Sequence, residues 1–121
     1  MIHTAEEIDL DLKGMEQFHG TQGYHSIWLG ALATDGVAYI MANGYSWLVT
    51  DAVSIIKTHA DVAGERFLLI KLELRDNSEC DMIIEDGNDR ELYRQHYAYT
   101  NAKKSLKLYF INNVMLLPNE Y

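Results

Sequence analysis

The side chains that could do chemistry in this 121-residue chain are few and scattered. Asp51 is the most informative, because it interrupts an apolar stretch one helical turn after Trp47. A carboxylate placed there must find hydrogen-bond donors, so it is expected to bond Trp47, a tyrosine hydroxyl or the cap of another helix; a catalytic role is the alternative. Tyr93, Tyr97 and Tyr99 alternate along one segment and could stack a ring or line a groove. Asp51, His25, Tyr93 and Tyr97 therefore define one candidate site, a pocket for a small enzyme or a small-ligand binder. The second concentration of chemistry is electrostatic. From Glu73 to Glu91 there are eight acidic residues against Arg75 and Arg90, a net −6. Glu73, Asp76, Glu79, Asp81, Glu85, Asp86 and Asp89 are the candidate protein-binding residues, a surface for a basic partner.

Other chemistries find little support in residue types or spacing. Cys80 is the single cysteine, so no intramolecular disulfide is expected, and its place among alternating apolar residues makes it an inert core thiol. There is no Gly-x-Ser-x-Gly elbow, phosphate-binding glycine loop or His-Glu-x-x-His. The five histidines, His3, His19, His25, His59 and His96, never fall four apart on one expected helix, and no metal or cofactor is expected. A formal charge of −8 repels a phosphate backbone, and the only basic cluster, Lys103, Lys104 and Lys107, reads as a solvated strand start, so direct nucleic-acid binding is not expected. No run reaches 18 apolar residues and the acidic N-terminal stretch is unlike a signal peptide, which gives an expectation of a cytoplasmic protein with no membrane contact. The pattern leaves the oligomeric state open.

Those residues must be positioned by a chain with no repeat, no linker and a single proline, Pro118, so residues 1–121 are read as one domain. Thr4 and Glu7 have capping-box spacing ahead of Ile8, Leu12 and Met15, which predicts a helix over 4–15. The glycine-rich segment 20–30 reads as a loop leading into a short buried element at Ile27, Trp28 and Leu29. Thr34, Asp35 and Gly36 cap a short helix over 37–42, with Asn43 and Gly44 as its stop, and a third, largely buried helix follows over 45–59. After Gly64 the period becomes two. Leu68, Ile70, Leu72 and Leu74 alternate with Leu69, Lys71, Glu73 and Arg75, as Cys80, Met82 and Ile84 do with Glu79, Asp81, Ile83 and Glu85. Only a three-residue loop at Asp76, Asn77 and Ser78 keeps both sets on one buried face, and it sets Leu74 against Cys80, Leu72 against Met82 and Ile70 against Ile84. That register also sets Glu73 against Asp81, a like-charge pair that folding alone gives no reason to place, and that a basic partner would relieve. A third strand is expected over 92–99. A final hairpin reverses at Asn112 and Asn113, with Phe110 facing Met115, and Pro118 should end its second strand. The expected fold class is α+β: two or three N-terminal helices packed on one face of a mainly antiparallel sheet of four or five strands.

Several stretches then resemble one family of small plasmid- and phage-borne bacterial proteins of unknown function. They are Gln17, Phe18, Gly20 and Thr21; Thr34, Asp35 and Gly36; Tyr45, Trp47, Leu48 and Asp51; Tyr99 and Thr100; and the tail from Leu116 to Tyr121. Ala33 departs from the aromatic residue usual in the family, and 101–103 from an acidic, aromatic and proline triplet. The resemblance implies no activity; it implies an accessory protein of a mobile element. Joined to the acidity, it gives the leading expectation, a non-enzymatic acidic protein-binding module that modulates a host system through a basic protein surface. The small enzyme or ligand binder is the alternative.

Overall fold

The computed structural model describes residues 23–100, 102 and 104–121. Its frame is the period-two half of the chain. Strands β3 (Phe67–Leu74) and β4 (Cys80–Asp86), numbered in chain order after two short strands upstream, pair antiparallel with Leu74 opposite Cys80, Leu72 opposite Met82 and Ile70 opposite Ile84. This is the register that the alternation demands. Asp76–Ser78 close the hairpin in one tight turn, with Asn77 and Ser78 both at φ 62°, a left-handed region that asparagine enters readily. Strand β5 (Glu91–Tyr97) adds to β4 with a bulge at Ile84/Glu85. On the other side of β3 lies β6 (Leu106–Ile111), which turns at Asn112 and Asn113, φ 51° and 68°, into β7 (Val114–Leu116) with Phe110 opposite Met115. Pro118 cannot donate to a ladder, and the strand gives way there to the turn Pro118–Glu120.

The expected sheet of four or five mainly antiparallel strands is corrected by the structure. Strands β1 (His25–Ser26) and β2 (Leu32–Ala33) extend it to seven, in the order β1-β2-β7-β6-β3-β4-β5. Strand β2 runs parallel to β7, so the sheet is mixed. Two residues are too few to display an alternation, which is why neither strand could be read in the sequence. Between them Trp28–Gly30 form a turn with Leu29 at φ 54°, and Trp28 is 53% exposed, so the expected buried element is instead a surface turn.

The expectation of two or three helices is corrected as well. One helical run of 24 residues, α1, spans 35–58: Asp35–Ile40, a wide turn Met41–Tyr45, then Ser46–Thr58. Asn43 and Gly44 do leave helical geometry, Gly44 at φ 104°, but the Asn43 side-chain amide donates to the Tyr39 carbonyl at 2.8 Å. The interrupted backbone ladder is thus partly replaced and the helix resumes, making the stop signal a kink. The single turn Ala60–Ala63 follows as α2. The helix expected over 4–15 lies outside the described residues.

Helix α1 covers one face of the sheet. Leu48, Val49, Ala52, Val53 and Ile56 meet Leu68, Ile70, Leu72, Met82, Ile84, Leu108 and Phe110 in one core, with Trp47 packed at its margin. The N-terminus of α1 is closed by the tail of the chain. Thr34 is its N-cap, accepting from the Val37 amide, and its hydroxyl donates to Glu120 Oε1 at 2.6 Å. Glu120 also accepts from the Gly36 and Leu117 amides at 3.0 and 2.9 Å, placing a carboxylate where orphan N–H groups and the helix dipole favour one. Glycine at 36 leaves room for this seat, since a Cβ there would lie 2.5 Å from Leu117 Cδ1 and 2.7 Å from Glu120 Oε1 and would push both side chains aside. No helix among the described residues is long and apolar enough to cross a membrane.

Candidate functional site

Asp51 faces β5 from the middle of α1. The Tyr97 hydroxyl donates to Asp51 Oδ2 at 2.6 Å, and the Tyr97 ring meets Trp47 edge-on at 4.9 Å. Of the partners expected for Asp51, namely Trp47, a tyrosine hydroxyl or the cap of another helix, the hydrogen bond goes to a tyrosine, Tyr97. Burial first, and the Asp51 acceptor second, push the Tyr97 hydroxyl above its ordinary 10.0, so it remains a donor. Between α1 and β5 lies a hollow of about 220 Å³ lined by Asp51, Ser54, Ile55, Gln95 and Tyr97. Its margins are aromatic. Tyr93 donates to Gln95 Oε1 at 3.1 Å and tilts against His59 at 4.7 Å, while Trp28 Nε1 donates to Ser54 Oγ at 2.8 Å. Two of the four pocket candidates, Asp51 and Tyr97, thus line one groove, and Tyr93 touches its margin through Gln95. His25 is not among them: its Nε2 lies 2.9 Å from Asp35 Oδ1 at the start of α1. Tyr99 falls beyond the end of β5 and is 73% exposed.

The acidic hairpin divides into two sets. Asp81 is only 3% exposed, on the sheet face away from α1. Its Oδ2 accepts from Arg75 at 2.6 and 3.0 Å and from Arg94 at 2.6 Å, and its Oδ1 lies 2.8 Å from His96 Nδ1. Arg75 first and His96 next hold its carboxyl well below the usual carboxylate range. The like-charge opposition of Glu73 and Asp81 is present in the register, and the cations that relieve it come from the chain itself. His96 is clamped by a second carboxylate, Glu79, 2.8 Å from Nε2; Asp81 and then Glu79 raise its pKa, since only the imidazolium can donate from both nitrogens. Lys71 pairs with Glu85 at 2.8 Å. Asp86 accepts from the Asn88 and Arg90 amides at 2.8 and 3.0 Å, closing the next turn, and those backbone bonds lower its pKa. The second set, Glu73, Asp76 and Asp89, is exposed and makes no ion pair among the described residues.

Cys80 is buried and burial pushes its thiol up, which suits a core residue. Among the described residues no group of three or more His, Cys, Asp or Glu is arranged to hold a metal ion. The residues missed in the sequence are those whose partners come from distant segments: Arg94 and His96 around Asp81, Gln95, Ser54 and Trp28 around Asp51, and Glu120 at the helix start. Only the first pair left a signal, because Arg94 and His96 alternate on one face of their strand.

In form, the protein is a kinked helix laid across a seven-stranded mixed sheet, with a groove at the helix margin. The chain matches the model described as "Family of unknown function (DUF6876)" over residues 10–121, and it belongs to that family. No curated protein and no solved structure matches it.

Proposed function

We propose that this chain is a non-enzymatic protein-binding module for a basic protein surface, and that it serves a mobile element as an accessory protein acting on a host system. One observation carries the reading. The cations of the hairpin region, Lys71, Arg75, Arg90, Arg94 and His96, are each engaged by carboxylates of the same chain, whereas Glu73, near the end of β3, and Asp76 and Asp89, in the loops, stay exposed and make no ion pair among the described residues. With a formal charge of −8 behind them, those loops project a negative field that steers a basic partner and repels a phosphate backbone. The small-ligand alternative is less well supported by size, since about 220 Å³ falls below the roughly 300–1,000 Å³ of small-molecule pockets. The test is capture from a bacterial lysate by the chain and by a triple variant, Glu73→Lys, Asp76→Lys and Asp89→Lys, with matched melting temperatures. Capture of a basic protein that weakens with salt and is lost in the variant supports the reading; equal capture by both overturns it.

A further inference from the structure

We propose that the partner segment binds as an added strand on the free edge of β5, with an Arg or Lys side chain reaching into the Asp51 groove. This rests on the reading of the chain as a module for a basic protein partner.

Strand β5 ends the sheet order, so its far edge has no strand paired to it among the described residues. Seven residues, Glu91–Tyr97, contain no proline to blunt that edge, and an exposed row of N–H and C=O groups is a template for another chain. Alternation directs Tyr93, Gln95 and Tyr97 toward α1, so a strand laid beside them would turn every second side chain to the same groove. The groove's chemistry selects what enters. Asp51 has one oxygen held by Tyr97, and the other has no hydrogen-bond partner among the described residues. Asp51 lines the groove with Tyr97, while Trp28 bonds the lining residue Ser54 and Tyr93 the lining residue Gln95, so a carboxylate stands in a groove with aromatic margins, which suits a guanidinium or ammonium group. A volume of about 220 Å³ matches one side chain better than a free metabolite. The other face of β5 presents Arg94 and His96, already bound to Asp81, Glu79 and Glu91, so intervening positions of the partner should not be basic. The acidic tip adjoins this site, because the Thr100 amide donates to the Ser78 carbonyl at 2.6 Å and Cys80 pairs with Tyr97. The loops that attract the partner thus deliver it to the end of the edge.

The experiment uses the full chain and an eight-residue peptide alternating Arg with Thr, its ends blocked, with binding followed by calorimetry and by amide exchange. The expected result is one-to-one binding that slows exchange at every second amide of β5. Asp51→Asn, which keeps the shape and removes the charge, should weaken binding roughly tenfold. A peptide N-methylated at alternate residues keeps its charge but cannot form the ladder, and it should lose binding even if Asp51→Asn perturbs the fold. Equal binding of the N-methylated peptide, or protection in the free chain or by a second copy of it of those β5 amides that point away from β4, overturns the strand-addition proposal. If Glu73→Lys, Asp76→Lys and Asp89→Lys abolish binding while Asp51→Asn and N-methylation change nothing, this inference fails and the acidic-module reading stands. Binding sensitive to Asp51 and N-methylation but indifferent to the loop reversals has the opposite meaning.

Discussion

Replacing Glu120 should loosen the start of α1, although the two lie more than 80 residues apart in the chain. Its carboxylate accepts from the Thr34 hydroxyl at 2.6 Å, the Leu117 amide at 2.9 Å and the Gly36 amide at 3.0 Å. A hydrogen bond to a charged group contributes about 1.5–3 kcal/mol, but Glu120 is only half-buried, so water replaces part of what is lost. The charge at a helix N-terminus adds about 0.3–1 kcal/mol. Glu120→Ala should therefore cost about 2–4 kcal/mol, and Glu120→Gln about half that, because a carboxamide can still accept from Thr34 and Leu117 but turns its NH2 toward the Gly36 amide. Gly36→Ala gains about 1 kcal/mol of helix propensity yet drives a Cβ into the seat of Glu120 and Leu117, so the net effect should be a loss of about 1–3 kcal/mol. The two substitutions share one contact and should couple by at least about 1 kcal/mol in a double-mutant cycle. Urea denaturation at constant m-value reads all three quantities. A cost for Glu120→Ala below about 0.5 kcal/mol, or additivity within about 0.4 kcal/mol, would refute the latch.

Leu72 is fully buried, and Leu72→Ala should cost about 2–5 kcal/mol by denaturation; a cost below about 0.5 kcal/mol would mean that the strand faces are wrongly assigned. His96 has a raised pKa in the folded state, so its contribution to stability is present below its ordinary value of 6.5 and is lost as pH rises through the folded value. Thermal melts should show that decline in the parent and not in His96→Gln, and Asp81→Asn should return the NMR titration of His96 toward 6.5. Cys80 should resist alkylation at neutral pH until the chain unfolds, so labelling faster than global unfolding would contradict its place in the core.

The half of the chain after Gly64 was legible because alternation, turn residues and a single proline act locally. Leu72 with Met82, Asn77 in its turn and the reversal at Asn112 and Asn113 all follow from neighbours in sequence. The helical half was less legible. Asn43 and Gly44 carry the signature of a stop, and whether such a signal ends a helix or kinks it depends on tertiary packing and on one side-chain bond to Tyr39. Strands β1 and β2 are made by their neighbours, with Leu32 and Ala33 held against Val114 and Met115, and have no period of their own. For the site, an awkward carboxylate in an apolar helix called for a donor and left Trp47, a tyrosine hydroxyl and the cap of another helix open; the fold supplies the hydroxyl of Tyr97. The acidic run misled in one respect. Charge counted along the sequence cannot show that Asp81 and Glu85 lie on a covered sheet face among cations delivered by β3 and β5, leaving the exposed negative charge at the loops.

The most direct test of the account is the association rate of the alternating Arg–Thr peptide with the full chain as a function of ionic strength. At about 0.01 M salt the loop charges act over about 30 Å and at about 0.1 M over about 10 Å. The account predicts a rate that falls roughly tenfold or more across that range and on to higher salt, with a much flatter dependence in the Glu73→Lys, Asp76→Lys, Asp89→Lys variant. A rate indifferent to salt, or an equal slope for parent and variant, would contradict it.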